Sequence, residues 1–119
     1  MALIPPIELA KALVKKDRPR LKFLVDKYSN EYNRIEVLNF ILALVTIFDD
    51  LGLATYIIGL GANDYNRGLV RAACVDRFDF IKFYLTMGAD DVENAKNTAL
   101  DQGHILIYKF LSNYNVGNS

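Results

Sequence analysis

FDFIKFYLTMGAD, residues 78–90, decides the fold because this stretch recurs in weakened form on both sides of itself. A 27-residue offset towards the N-terminus places it over LGLATYIIGLGAN at residues 51–63, and the same offset towards the C-terminus places it over ILIYKFLSNYN from residue 105. A constant offset of this length is typical of helical repeat proteins, whose neighbouring units stack and share a core. The sequence therefore indicates a scaffold for interaction before any single residue is considered.

The 27-residue register is supported by six identities between neighbouring copies. They are Gly61 with Gly88, Ala62 with Ala89, Asp64 with Asp91, Ala72 with Ala99, Lys82 with Lys109 and Phe83 with Phe110. These positions fall at helix caps, at a small close-packing site and on the second helix of the unit, where geometry restricts the choice of residue. We therefore interpret the pattern as a structural repeat.

The whole chain is predicted to form a single all-α domain of antiparallel helical hairpins stacked side by side. Apolar residues recur at helical spacing in the first helix, at Ile7, Ala10, Leu13 and Val14, while residues 35–48 are apolar nearly all round and predict a central buried helix. Gly61 is placed to end a helix in a left-handed conformation. The hairpin bounds are approximately 1–30, 31–63, 64–90 and 91–115.

Composition argues against several classes of protein. Fourteen basic residues balance fourteen acidic ones among 119, so no global field attracts nucleic acid or an anionic membrane. Cys74 is the only cysteine, which excludes an internal disulfide framework and a multi-cysteine zinc site within one chain. The N-terminus lacks the features of a signal peptide, and the apolar run 40–48 is too short to span a membrane. We expect a cytoplasmic protein without membrane segments.

Residues 72–90, AACVDRFDFIKFYLTMGAD, resemble the core of an ankyrin repeat, in which two alanines, a Gly-His turn, an apolar helix and Gly-Ala-Asp follow at the same spacing. Gly103-His104 looks like that turn in the next repeat, where the histidine bridges neighbouring loops by hydrogen bonds. The period of 27 is shorter than the roughly 33 residues of ankyrin repeats. The threonine-proline-leucine-histidine opening is also absent at residues 67–70, so the resemblance implies hairpins without β-hairpin fingers.

Short ankyrin-like hairpins rich in Phe, Tyr and Asn are similar to those of the African swine fever virus multigene families and, more broadly, of large DNA viruses. The resemblance covers residues 50–112 closely and residues 1–49 loosely. It implies binding to host proteins in the host cytoplasm, often to blunt innate immune signalling. Because fold alone does not specify function, this implication is an analogy.

Three residues on the first helix of the third hairpin are the candidate partner-binding residues, Tyr65, Arg67 and Arg71. Ankyrin-like arrays turn this helix towards their partners, and Tyr and Arg are enriched among interface anchors. The partner is expected to be a protein, either a host protein or a second copy of this chain. The copies of the repeat also diverge at residues 65–71.

Residues that usually carry chemistry have structural explanations in this sequence. We interpret His104 as a turn residue and Cys74 as a small apolar residue, because neither has a partner for catalysis. The acidic pairs 49–50 and 90–91 stand at predicted helix starts, where carboxylates cap free N–H groups. Residues 59–61 are too sparse in glycine for a phosphate loop. We predict no catalytic residue, no metal site and no cofactor.

Two alternatives to binding of a host protein remain open. The last helix is crowded with apolar residues and the terminal units lack a strongly polar face, which predicts a structural or assembly protein that forms homo-oligomers. The N-terminal hairpin carries a basic run that makes a weak nucleic-acid patch conceivable, although a solvated face is favoured and nucleic acid is an unlikely partner. Within this hairpin, Phe23 and Tyr28 are predicted to lie in the core.

Overall fold

The computed structural model describes residues 6–30 and 32–114, and within these ranges it contains eight α-helices and no strand. The helices are α1 (Pro6–Val14), α2 (Arg18–Tyr28), α3 (Arg34–Ile47), α4 (Leu51–Leu60), α5 (Tyr65–Cys74), α6 (Phe78–Thr86), α7 (Val92–Asp101) and α8 (Ile105–Ser112). The prediction of an all-α protein built from helical hairpins is thus confirmed. The expected hairpin limits at residues 1, 31 and 115 lie outside the described residues.

The chain divides into two compact units, Met1–Asn63 and Asp64–Ser119. In the first unit, α1 packs against α2, α2 against α3, and α3 against α4. In the second unit, α5 packs against both α6 and α7, and α7 packs against α8. The division falls between the second and third predicted hairpins.

The turn inside each hairpin has the same backbone geometry in all four copies. The amide N–H of the residue before the second helix donates to a carbonyl five positions earlier: Asp17 to Ala12, Asp50 to Val45, Arg77 to Ala72 and His104 to Ala99. In each turn the preceding residue has a positive φ angle: 54° at Lys16, 59° at Asp49, 60° at Asp76 and 78° at Gly103. Successive turns therefore follow at intervals of 33, 27 and 27 along the chain.

Glycine ends the second helix of a hairpin where the backbone needs a positive φ angle. Gly61 caps α4 with a φ angle of 127°, as the sequence predicts, and Gly88 follows α6 with a φ angle of 108°. A residue with a Cβ atom is strained in this conformation, whereas glycine is not. These two sites explain why the glycines recur in the repeat.

Each unit has its own buried residues. In the first unit, seven residues of α3 are buried, in agreement with the predicted central helix. In the second unit, Phe80 and Tyr84 of α6 are fully buried. The first two helices differ from prediction, because Ile7, Val14 and Phe23 are 67%, 68% and 51% exposed.

The buried side of α1 is formed by Leu9, Ala12 and Leu13, and of these Leu13 is a predicted position. Contrary to the prediction from the sequence, Phe23 does not lie in the core. It is at the surface, where the Arg20 guanidinium group lies 5.0 Å from the centroid of its ring in a cation–π contact. No helix in the described part of the chain is both long and apolar enough to cross a membrane.

Candidate functional site

An open cleft of about 500 Å³ lies between α5 and α7 of the second unit. It is lined by Asp64, Asn66, Arg67, Val70, Arg71, Cys74, Asp91, Asn94 and Thr98. The repeat explains this arrangement, because Asp91, Asn94 and Thr98 of the later copy are the 27-residue equivalents of Asp64, Arg67 and Arg71. The cleft is thus walled by equivalent faces of two successive first helices.

The structure places Arg67 and Arg71, two of the three candidate binding residues, together on the wall of this cleft. They lie four positions apart on α5, so their side chains project from the same face of the helix. Both residues are exposed, and neither guanidinium group forms an ion pair or a hydrogen bond with any described residue. Tyr65, the third candidate, is half-buried at the start of α5 and does not line the cleft.

The two carboxylates of the cleft stand at the N-terminal ends of its helices and are both engaged. Asp64 Oδ1 accepts a hydrogen bond from the Arg67 backbone N–H at 3.0 Å and so caps α5. Asp91 Oδ2 accepts a hydrogen bond from Asn94 Nδ2 at 3.2 Å. The cleft is therefore acidic at one end and basic one to two helical turns further along.

The helix-capping role predicted for the acidic pairs holds for one pair only. Asp50 Oδ1 accepts a hydrogen bond from the Leu53 N–H at 3.0 Å and caps α4. Asp91 occupies the cap position of α7 but makes no side-chain cap bond. Glu93, in the first turn of α7, pairs with Lys96 at 3.0 Å.

Asn66 of α5 hydrogen-bonds to the end of the loop that connects α6 with α7. Its Oδ1 accepts hydrogen bonds from the backbone N–H groups of Asp90 and Asp91 at 2.8 and 3.0 Å, and its Nδ2 donates to Asp90 Oδ1 at 3.0 Å. Our reading of the sequence missed this residue. The available signal was Asn39, which occupies the equivalent position of the preceding copy and makes the same type of contact with Asn63.

His104 bridges two turns of the second unit, as the ankyrin-like resemblance implies. Its Nε2 lies 3.1 Å from the backbone carbonyl oxygen of Cys74, and because a carbonyl only accepts, Nε2 carries the proton. Its Nδ1 lies 3.9 Å from Asp76 Oδ2. The contact with Cys74 is to the backbone and not to the thiol, so it is a structural bridge.

The basic run of the N-terminal hairpin is partly neutralised within the first unit. Arg20 pairs with Glu8 at 3.7 Å, Lys22 with Asp26 at 2.8 Å, and Lys16 with Asp50 at 3.4 Å. A smaller cleft of about 300 Å³ in this hairpin contains acidic residues as well as cations. Cations and carboxylates are thus interspersed on the described part of this hairpin.

Neighbouring groups lower the pKa of two carboxyl groups in the first unit. The hydrogen bond from Lys22 lowers the pKa of Asp26, and the hydrogen bond from Arg34 lowers it further. The backbone hydrogen bond from Leu53 lowers the pKa of Asp50, with a further contribution from Lys16. Both carboxylates therefore stay charged to a lower pH than an ordinary aspartate does.

The chemistry that the cleft offers is ionic and hydrogen-bonded recognition. No three His, Cys, Asp or Glu residues come close enough to hold a metal ion anywhere in residues 6–30 and 32–114. The groups free to act on a ligand are the two guanidinium groups of α5, with the Thr98 hydroxyl on the opposite wall. Guanidinium groups bind carboxylates through paired, charge-assisted hydrogen bonds.

Comparison with known proteins assigns no family to this chain. No family model matches it, and neither a curated protein nor a solved structure is similar enough to count as a match. The ankyrin-like and viral resemblance consequently stays a prediction that rests on residues 72–90.

Proposed function

We propose that this chain is a non-catalytic protein-interaction module whose partner binds in the cleft between α5 and α7. The observation that carries the proposal is the pair of exposed guanidinium groups of Arg67 and Arg71 on one wall of the cleft, which pair with no residue in the ranges 6–30 and 32–114. Arginine is enriched among the residues that contribute most to the binding energy of protein interfaces. Two such groups without a partner in the described part of the chain are available to bind an external one.

We also propose that the module is ankyrin-like and that it acts as a viral modulator of host proteins in the host cytoplasm, including proteins of innate immunity. The support is the resemblance of residues 72–90, together with the recurrent turn and the bridge from His104 to the Cys74 carbonyl group. The cleft lies on the first helices of the hairpins, which is the side that ankyrin-like arrays present to partners.

Affinity capture from a host-cell lysate tests this function when the bait is paired with two variants. The first is Arg67→Gln/Arg71→Gln, which removes both guanidinium charges from the cleft. The second is Lys82→Gln/Lys109→Gln, which removes two exposed charges of the same unit at positions outside the cleft. We expect specific prey with the wild type and the lysine variant, and its loss with the arginine variant. Equal recovery by all three baits would contradict the proposal.

A second candidate function, assembly through homo-oligomerisation, is favoured by exposed apolar residues around the turn between α7 and α8. Leu106 is 74% exposed, and Leu100 and Ile105 are each 46% exposed. Leu100 is the 27-residue equivalent of Ala73, which is fully buried. In the repeat, this position is one that a following hairpin would cover, and a second copy of the chain would supply such a cover.

Light scattering at high protein concentration tests this second candidate. We expect a dimer or a larger assembly for the wild type and a shift towards monomer for Leu106→Ser. Val14→Ser is the matched control, because it removes a side chain of similar exposure from the first unit. A monomeric wild type, or equal effects of the two substitutions, would argue against assembly through the α7–α8 turn.

A further inference from the structure

We infer that the cleft between α5 and α7 receives an extended acidic segment of a partner protein, in which two carboxylates separated by one residue pair with Arg67 and Arg71. This inference rests on the proposed function and adds the chemistry and spacing of the ligand. Its basis is the geometry of α5, the state of the neighbouring carboxylates and the polar groups on the opposite wall.

The spacing of the two arginines matches that of alternate residues in an extended chain. Four residues along a helix advance about 6 Å along its axis. Two residues along an extended strand advance about 6.6 Å, and their side chains point to the same side. A segment lying along α5 therefore presents the carboxylates of residues i and i+2 to Arg71 and Arg67 in turn, whereas adjacent acidic residues point to opposite sides.

The carboxylates of the cleft do not satisfy these guanidinium groups. Asp64 is occupied with the backbone N–H of Arg67, and Asp91 accepts from the side-chain amide of Asn94. Their positions at the helix starts make one end of the cleft unfavourable for further negative charge. We therefore expect an isolated pair of acidic residues to bind better than a long acidic run, because a run would bring its remaining carboxylates towards Asp64 and Asp91.

The remaining lining suits a peptide more than a nucleic acid. Thr98 on α7 offers a hydroxyl group to a peptide backbone that lies between the helices, and Val70 offers an apolar contact. A nucleic acid would carry a phosphate at every step and would meet the carboxylates of Asp64 and Asp91 at the acidic end. Steeply salt-dependent binding of nucleic acid requires several cations along its path, and the cleft supplies two.

The test is an NMR titration of the intact chain at low ionic strength with a short peptide that contains glutamate at positions i and i+2 and neutral residues elsewhere. We expect shifts of the Arg67 and Arg71 side-chain N–H signals and of backbone amides in α5 and α7. A peptide with both glutamates replaced by glutamine, one with adjacent glutamates and one with a glutamate run are the comparison probes. Each should bind at least several-fold more weakly.

Matched variants separate the cleft from general charge. Arg67→Gln/Arg71→Gln should weaken binding of the peptide about tenfold or more, while Lys82→Gln/Lys109→Gln should leave it unchanged. All four positions are exposed, so the thermal unfolding midpoints of both variants should stay near that of the wild type. Equal binding of the glutamine peptide, equal effects of the two variants, or stronger binding of a single-stranded RNA at the same signals would overturn the inference.

The result is distinguishable from the outcome of the lysate capture. Prey whose recovery depends on the arginines, together with no binding of the glutamate peptide, would leave the interaction function standing and remove the acidic-segment inference. Peptide binding at α5 and α7, without any arginine-dependent prey, would support the acidic-segment inference. It would contradict the proposal that the host-cell lysate contains the partner.

Discussion

The two units form the same hairpin turn with different side chains. In the first unit, Asp17 and Asp50 stand before the second helices, and each carboxylate accepts a hydrogen bond from a helix N–H group. In the second unit, Arg77 and His104 occupy the equivalent positions and make no side-chain cap bond. The backbone bond across the turn and the positive φ angle are nevertheless present in all four copies. The element that recurs is a backbone conformation.

The second unit lacks these two cap bonds, but it has a hydrogen bond between its two turns. His104 reaches the carbonyl oxygen of Cys74 in the preceding turn. Asn66 holds the following loop with three hydrogen bonds, and Asn39 makes the same type of contact with Asn63 in the first unit. The contact of His104 connects the neighbouring hairpins of the second unit, whereas a cap acts within one helix. We therefore expect substitutions of cap residues, and substitutions of residues that connect hairpins, to affect the stability of the two units differently.

The largest expected difference in the free energy of unfolding comes from substitutions of Gly59 and Gly68, two glycines within helices. Gly59 in α4 has open space where a Cβ atom would stand, so Gly59→Ala should stabilise the protein by up to about 1 kcal/mol. A Cβ atom on Gly68 in α5 would lie 2.7 Å from Tyr84 Cε1 and closer still to two other ring atoms. Because Tyr84 is fully buried, Gly68→Ala should destabilise by about 1–3 kcal/mol.

Urea denaturation followed by circular dichroism measures both glycine substitutions. The two changes in the free energy of unfolding should have opposite signs. Combining Gly68→Ala with Tyr84→Leu tests the cause, because a smaller side chain at position 84 leaves room for the added methyl group. The double variant should lose less stability than the sum of the single changes, and strict additivity would show that the Tyr84 ring is not the obstacle.

The next effect concerns the Asn66 contacts to the following loop. Asn66→Ala removes hydrogen bonds to the N–H groups of Asp90 and Asp91 and to the Asp90 carboxylate, which should cost about 2 kcal/mol. Asn94→Ala is the control, since among the described residues this exposed side chain bonds only to Asp91 Oδ2. This substitution should cost less than about 0.5 kcal/mol. Thermal unfolding of the two variants measures the difference. Equal losses would mean that Asn66 does not hold the loop.

A smaller, pH-dependent effect is expected at Asp50 in the first unit. Its pKa is below the ordinary value of 3.8, so its stabilising contribution is complete above about pH 4 and is lost as the pH falls through the folded-state pKa. Asp50→Asn keeps a capping oxygen but loses the charge that faces Lys16, and should cost about 0.5–1 kcal/mol at pH 7.

Urea denaturation of Asp50→Asn at a series of pH values measures this dependence. The difference from the wild type should shrink as the pH is lowered from 4 towards 2. Asp49→Asn removes the same charge from the neighbouring residue without touching the cap, and should have little effect at any pH. A constant difference between Asp50→Asn and wild type across this range would show that the ionised carboxylate is not responsible.

Much of the fold could be predicted because helix periodicity and helix ends are local properties. The repeat and the glycines at positions 61 and 88 led to the correct number and order of helices from α4 to α8. The burial of α1 and α2 could not be assigned in the same way. Ile7, Leu13 and Val14 share the predicted helical spacing, yet of these three only Leu13 is buried. The packing of neighbouring helices chooses the inward face, which also carries Leu9.

Part of the candidate site could be predicted, because two of its residues lie on a helix that the repeat defines. The position of Arg67 and Arg71 on a first helix follows from the repeat, and with it their common face. The cleft itself depends on the side chains of α7, which are Asn94 and Thr98 at the equivalent positions. The roles of Asn66 and Asp91 depend on contacts between hairpins, and the 27-residue register alone did not identify them.

The smallest expected effect tests the bridge between turns at His104. His104→Ala removes the hydrogen bond from Nε2 to the carbonyl oxygen of Cys74, which should cost about 0.5 kcal/mol because the bond is only partly buried. His104→Gln offers a side-chain amide that can donate to the same carbonyl group, so it should recover part of this loss. Asp76→Asn is the control, because Asp76 lies 3.9 Å from the other ring nitrogen, beyond hydrogen-bond distance. If alanine and glutamine at position 104 destabilise equally, the turns are joined by their backbone geometry and not by the histidine.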